Sequence, residues 1–219
     1  GMRALSEVLK HNTSIRKIEL YENNIGNEGM IALSKALKTN KTIKLIDLGL
    51  NKIQKMGIYA FAEMLRTNNT LSEVDLQANY ICNKGAKKLA EALIINKGVE
   101  SLIIDYNKIG KKGCIEIANA LKFNTTLKII HLDNNEMGFE GAFALAKGII
   151  NNNVLEEIEL LHCNIGDDGA HAISSALIFN NRIRRIELTG NGLTYKGRSY
   201  LDQVKMYNKN IDIVNRPGF

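Results

Sequence analysis

The sequence predicts an α/β solenoid, a stack of strand–turn–helix coils, and three observations carry that prediction. The stretch Ile18-Glu19-Leu20-Tyr21-Glu22-Asn23-Asn24-Ile25-Gly26, an LxLxxNxIG pattern, returns at residues 46–54, 74–82, 102–110, 130–138, 158–166 and 186–194, each time 28 residues on. A glycine column keeps the same period through Gly1, Gly29, Gly57, Gly85, Gly113, Gly141, Gly169 and Gly197. An asparagine column runs through Asn12, Asn40, Asn68, Asn96, Asn124, Asn152, Asn180 and Asn208. Columns in strict register over a whole chain mark an internal repeat. One proline and no proline- or serine-rich run leave no linker, so residues 1–219 read as a single domain. Residues 1–12 are a partial repeat, 13–208 seven full repeats, and 209–219 a terminal strand and tail.

Residues 13–40 justify each element in turn. Ile15, Ile18 and Leu20 point to one side and Lys17 and Glu19 to the other, which is the alternation of a short strand. Asn23 sits where the chain must leave the strand, and its amide can satisfy backbone groups inside the turn. Gly29, Leu33, Ala36 and Leu37 then fall at i, i+4, i+7 and i+8, one apolar helical stripe with glycine at the point of closest approach. Asn40 is expected to end the helix in a left-handed capping conformation. Strands are expected near 15–20, 43–48, 71–76, 99–104, 127–132, 155–160, 183–188 and 211–214, with a helix after each of the first seven. Parallel strands stack at about 4.8 Å and helices at roughly 8–10 Å, so the helix layer lies outside and the strands line a concave face.

This pattern resembles the leucine-rich repeat family, in particular its ribonuclease-inhibitor-like subclass with 28-residue repeats. The resemblance covers essentially the whole chain and implies a right-handed horseshoe with a parallel concave sheet and convex helices. The subclass includes ribonuclease inhibitor, the Ran GTPase-activating protein, the sensor regions of nucleotide-binding immune receptors, and tropomodulin-like actin cappers. Likeness at this level fixes a fold and leaves function to the site. Two departures stand out. Cys163 replaces asparagine in the turn column, as a small buried group would. In the last helix Arg198, Tyr200 and Lys205 occupy the columns of Met30, Ala32 and Leu37, which is how a solenoid caps an end. Met2, Leu5, Val8 and Leu9 instead repeat the interior pattern, so further repeats upstream are expected in any longer parent protein.

Composition narrows the class. No apolar run is long enough to span a bilayer, and the first residues lack the regions of a signal peptide. Three cysteines in unrelated columns (Cys82, Cys114, Cys163) do not form a disulfide framework, which points to a reducing, cytoplasmic setting. Asn12, Asn40, Asn68 and Asn124 fit the glycosylation sequon, but all belong to the structural asparagine column.

Four columns face outward on the expected strand face, beginning at Lys17, Glu19, Tyr21 and Glu22. Of these 28 positions ten are acidic and two basic, so they carry −8 in a chain whose net charge is +6, leaving +14 elsewhere. Like charges stacked across strands repel, and an acidic groove suits a protein partner with a basic surface. The expected contact residues are Glu19, Tyr21, Asp47, Asp75, Asp105, Asp133 and Glu159, around an apolar and aromatic centre at Ile103, Tyr106, Ile129, His131, Leu161 and His162. The binding centre is placed in repeats four to six.

Catalysis has little support. Glu159 and Asp133 could orient the His131 imidazole, but no serine or cysteine is placed to pair with it, and there is no GxxxxGK[ST], HExxH or CxxC. No cofactor, metal or catalytic residue is expected. The cluster Lys84, Lys87, Lys88, Lys111 and Lys112 has no interleaved aromatics for stacking, and Glu116 shares a column with Lys88, so a solvated surface is expected rather than nucleic acid. The expectation is a monomeric, non-enzymatic binding module. Two other classes stay open through the resemblance: a GTPase-activating regulator of a small GTPase, and an actin-capping protein like tropomodulin.

Overall fold

The computed structural model describes residues 1–216; the last three residues of the expected tail, 217–219, lie outside them. In chain order the elements are α1 (Met2–His11), β1 (Lys17–Glu19), α2 (Gly26–Thr39), β2 (Leu45–Asp47), α3 (Lys55–Leu65), β3 (Glu73–Asp75), α4 (Cys82–Leu93), β4 (Ser101–Ile103), α5 (Lys111–Leu121), β5 (Ile129–His131), α6 (Gly138–Ile149), β6 (Glu157–Glu159), α7 (Gly166–Phe179), β7 (Arg185–Glu187), α8 (Tyr195–Tyr207) and β8 (Asp212–Val214). The eight strands form one parallel sheet in sequence order. Register is the 28-residue column itself, Lys17 opposite Leu45 and Ile18 opposite Ile46, and so on to Ile158 opposite Ile186. Each strand is shorter than expected because the flanking residues already belong to turns. The ladder nevertheless runs on into those turns, where Leu20 N–H donates to Asp47 O at 2.8 Å and Glu22 N–H to Gly49 O at 2.9 Å.

The core is a thin apolar seam between sheet and helices. Ile18, Ile46, Val74, Leu102, Ile130, Ile158, Ile186 and Ile213 fill it from the strands; Leu33, Phe61, Leu89, Ile117, Leu145, Ile173 and Leu201 fill it from the helices. Leu201 and Val204 stay buried in α8 while Arg198 and Lys205 are exposed, so the capping change falls on the outer positions of that helix. At the other end Val8 is 60% exposed where its column mate Ala36 is 3% exposed.

Two buried asparagine ladders stitch the coils together. In the turn ladder Asn135 donates from Nδ2 to Ile104 O (3.0 Å) and Leu132 O (3.0 Å), while its Oδ1 accepts from Asn107 N (3.2 Å) and Ile109 N (2.9 Å). Cys163 breaks this ladder. Its Sγ reaches Leu132 O at 3.2 Å, and Met137 N–H turns back to Asn135 O within its own coil. Burial pushes the Cys163 thiol far up from its ordinary value and holds it protonated.

The second ladder corrects an expectation. Asn40 closes α2 with φ −66° and ψ 130°, extended rather than left-handed, and Asn180 and Asn208 are likewise extended. Asparagine is needed here for its side chain. Asn124 donates to Leu93 O of the preceding helix (2.7 Å) and accepts from Thr126 N (2.9 Å) and Leu127 N (2.7 Å), capping one helix end while shaping its own turn. Asn40, Asn68 and Asn124 are buried, so these sequons are closed in the fold.

Helix N-termini are capped from the neighbouring coil. Asn83 Oδ1 accepts from Gly110 N and Gly113 N, both at 2.9 Å; Asn27 does the same for Gln54 and Gly57, and Asp167 for Thr194 and Gly197. These bonds hold the Asp167 carboxyl below its ordinary range, Thr194 contributing most. The capping works only because glycine lets the coils approach. A Cβ on Gly113 would meet Ile109 Cγ2 at 2.6 Å, Asn83 Oδ1 at 2.9 Å and Ala86 Cβ at 3.0 Å. Gly113→Ala gains helix propensity of about 1 kcal/mol but loses about 1–3 kcal/mol to overpacking and a displaced cap. The expected outcome is net destabilisation, read as a lower urea midpoint at unchanged slope; a raised midpoint would refute the close-approach reading.

Candidate functional site

The strand face presents the four outward columns in the register the period implied. In the fourth of them the side chain sits on a left-handed backbone in every coil: Glu22 (φ 58°), Leu50 (55°), Ala78 (52°), Tyr106 (52°), Asn134 (54°), His162 (53°) and Gly190 (74°). Only glycine adopts this region without strain, so holding Tyr106 or His162 there costs roughly 1 kcal/mol or more each. The strain fixes the direction of these side chains, and Tyr106 stands 56% exposed.

The acidic residues divide into three groups. Asp47 and Asp75 bend back to their own turns, Oδ1 accepting from Gly49 N (2.9 Å) and Gln77 N (2.8 Å), with the second oxygen of Asp75 taking Gln77 Nε2 at 3.0 Å. They and the exposed Glu73 have no ion-pair partner among the described residues. Together with the Lys17–Glu19 pair they line a shallow cavity of about 170 Å³ whose apolar wall includes Leu45 and Ile103. Glu19 is paired with Lys17 at 2.8 Å, and Tyr21 lies over the Gly49 backbone.

Asp105 and Asp133 form the second group and correct the expected contact list. Asp105 is 9% exposed and accepts Asp133 N at 2.7 Å; Asp133 is half-buried and accepts Leu161 N at 2.7 Å. They pin one turn to the next and have little surface to offer a partner. Burial, then the Asp133 carboxylate, push Asp105 up to about 7, and burial raises Asp75 and Asp133 as well. Charge on this part of the face is therefore less than its composition implied.

In the third group Arg185 Nη1 lies 2.9 Å from Glu159 and 3.5 Å from Glu157, and Nη2 lies 3.9 Å from Glu187. The same two glutamates flank His131, Glu159 Oε2 at 3.4 Å from Nδ1 and Glu157 Oε1 at 3.8 Å from Nε2. Ligand atoms of His131, Glu157 and Glu159 lie within 4.8 Å of one another, a spacing a metal ion could use. The Arg185 guanidinium bridges both carboxylates and already supplies the counter-charge, so the geometry fits an ion-pair network. Sequence reasoning named Glu159 as the imidazole's partner but missed Glu157 and Arg185. Their adjacency in one column was the signal that could have found them. Asp133 turns to Leu161 rather than His131.

The apolar centre is flatter than expected. Ile103, Ile129 and Leu161 are half-buried, His131 is half-buried among its carboxylates, and only Tyr106 and His162 stand exposed. His162 Nδ1 lies 3.3 Å from Gly190 O. Of the basic cluster, Lys87 pairs with Glu116 (3.5 Å), Lys88 with Glu91 (2.6 Å) and Lys111 with Glu140 (2.7 Å), which corrects the expected Lys88–Glu116 neutralisation. Among the described residues no helix is long and apolar enough to cross a membrane.

Stacked coils that display one continuous strand face define a protein-interaction module. The Leucine Rich repeat family profile matches residues 11–34, 67–90, 96–118, 123–146 and 151–174, more than half of the sequence. The chain belongs to the leucine-rich repeat family. A search of curated proteins finds no match. Among solved structures it is similar to leiomodin-1 actin-binding site 2, with TM-score 0.58 and 27% identity over 67% of this chain and 86% of that one. It also matches the C-terminal domain of Caenorhabditis elegans tropomodulin, with TM-score 0.51 over 94% of this chain and 98% of that one. At 11% identity the second likeness is one of fold.

Proposed function

We propose that this chain holds a basic protein surface against the first half of its strand face. The observation that carries the reading is the set Asp47, Glu73 and Asp75, free of ion pairs, around a shallow cavity that the Lys17–Glu19 pair also lines, with Tyr106 exposed further along the same strand face. A lysine or arginine of the partner could lay its stem along Leu45 and Ile103 and its charge on these carboxylates. Relative to the sequence expectation, the centre moves toward the second to fourth strands, because Asp105, Asp133 and Glu159 are engaged within the chain itself.

A specific likeness favours actin as the partner to try first: leiomodin-1 actin-binding site 2 shares 27% identity over two-thirds of this chain. Association would be measured by biolayer interferometry with actin, and with whatever protein a wild-type bait captures from the source cell but an Asp47→Lys/Asp75→Lys bait does not. Asp47→Lys should slow association and flatten its salt dependence, since steering charges act on the on-rate and are screened over about 8 Å. Tyr106→Ala should speed dissociation roughly 30-fold if the ring is a hot spot worth about 2 kcal/mol. Unchanged kinetics in both variants, with binding abolished by Lys84→Glu or Lys112→Glu, would move the site to the helix side.

A further inference from the structure

The sheet's acidity has a counterpart at the edge where each helix ends and the next strand begins. Four columns of the repeat, those starting at Lys10, His11, Thr13 and Arg16, fall on this edge. Their 32 positions hold eleven lysines and arginines against three acids, a net +8, of which +6 lies in the first three coils and +2 in the last five. In the later coils the same edge carries large apolar side chains that stand mostly in solvent. Phe123 is 63% exposed, Phe179 71% and Tyr207 70%, with Ile95 in the same column at 43%. Lys97 and Lys122 flank Phe123, and their side chains bond only neutral groups, Thr125 Oγ1 (3.0 Å) and Asn119 Oδ1 (2.9 Å).

From this juxtaposition we infer that the edge is a peripheral docking surface for an anionic lipid bilayer. At the helix spacing of about 8–10 Å, Ile95, Phe123, Phe179 and Tyr207 take four of five successive coils along a ridge of roughly 35 Å, and in the remaining coil Asn151 holds the position with Ile150, 39% exposed, beside it. Ridge side chains protrude, so they suit insertion into the boundary between headgroups and acyl chains, while lysines on either side meet the anionic headgroups. Charge complementarity selects the lipid: the same edge runs from a first stretch of six basic residues with no acid into the apolar stretch with its net +2, and a neutral bilayer would engage only the second. An acidic protein would have to supply a trough matching a convex ridge, which a soft interface does not. Contiguous exposed apolar surface of this kind marks interaction rather than ordinary solvation. The surface is distinct from the strand face, so the two readings stand or fall separately.

Flotation of the full chain with phosphatidylcholine vesicles, with and without phosphatidylserine, tests the inference. Binding should require phosphatidylserine and weaken as salt is added. Phe123→Ser/Phe179→Ser, and separately Lys97→Glu/Lys122→Glu, should each lower partitioning by about tenfold or more. All four side chains are exposed, so circular dichroism and the melting midpoint should match wild type, and Asp47→Lys on the strand face should bind vesicles normally. Equal binding to both vesicle types, or phosphatidylserine binding that survives both double variants, would overturn it. So would light scattering that finds a wild-type dimer converted to monomer by Phe123→Ser/Phe179→Ser, which would assign the ridge to a second copy of the chain.

Discussion

Asn135→Ala should lower the unfolding free energy by about 3–5 kcal/mol, far more than a typical polar-to-alanine change, because two buried backbone donors lose their acceptor at once. The Asn135 side chain is 1% exposed, and its Oδ1 serves Asn107 N and Ile109 N of the preceding coil. Its Nδ2 also covers Ile104 O and Leu132 O. Alanine leaves the cavity too closed for water to reach every one of these groups. Urea unfolding followed by circular dichroism measures the loss, with Glu136→Ala, one residue away and exposed, expected within about 0.5 kcal/mol of wild type. A loss below about 1 kcal/mol for Asn135→Ala would mean the ladder is ornamental.

Asp105→Asn should stabilise the protein at pH 8, by up to about 4 kcal/mol, and have little effect near pH 4. An acid whose folded pKa lies above its unfolded value keeps its proton more tightly when folded. Its penalty is absent below the ordinary carboxylate pKa of 3.8, grows through the window up to about 7, and is complete above it. Asparagine can retain the oxygen that accepts Asp133 N while removing the buried charge and its repulsion from the Asp133 carboxylate. Wild type should therefore lose stability between pH 5 and pH 8 more steeply than the variant. Asp75 persists in both chains, so the difference between the two curves reports Asp105 together with its coupling to Asp133. Parallel curves would show that water reaches the Asp105 carboxylate and screens it.

The period made the fold legible down to register: Lys17 opposite Leu45 is the repeat read as geometry. Legibility ended where one coil's side chain answers another's backbone. Nothing in the third outward column, where two adjacent aspartates sit among tyrosine, glycine, glutamine, leucine and threonine, tells that Asp105 is buried while Asp133 and Leu161 stay half-buried. The same holds for the caps from Asn27, Asn83 and Asp167, which share one column but alternate there with Lys55, Lys111 and Phe139, so the column shows no single residue type. The helix-end asparagines were found for the wrong reason. Their spacing reports the need for a cap, but the conformation that supplies it is set by bonds to the preceding coil. At the candidate site, outward orientation followed from alternation, whereas ion pairing by Arg185 required side-chain reach that no periodicity encodes.

The thiol at position 163 bears on how the stack comes apart. Elsewhere a buried amide clasps adjoining coils through donors and an acceptor together; here a weakly polar sulfur holds Leu132 O, and Met137 N–H stays within its own turn. Because each coil touches only its neighbours, the weakest clasp sets where cooperativity lapses. The strand ladder between β5 and β6 stays whole, with Leu132 N–H on Glu159 O and Asn134 N–H on Leu161 O beside the Asp133–Leu161 bond, so the weakening is confined to this one turn. In amide hydrogen exchange the turn amides around Met137 should open ahead of those around Ile53 and Ile109, and equal protection would show that the sulfur clasps as firmly as the amide.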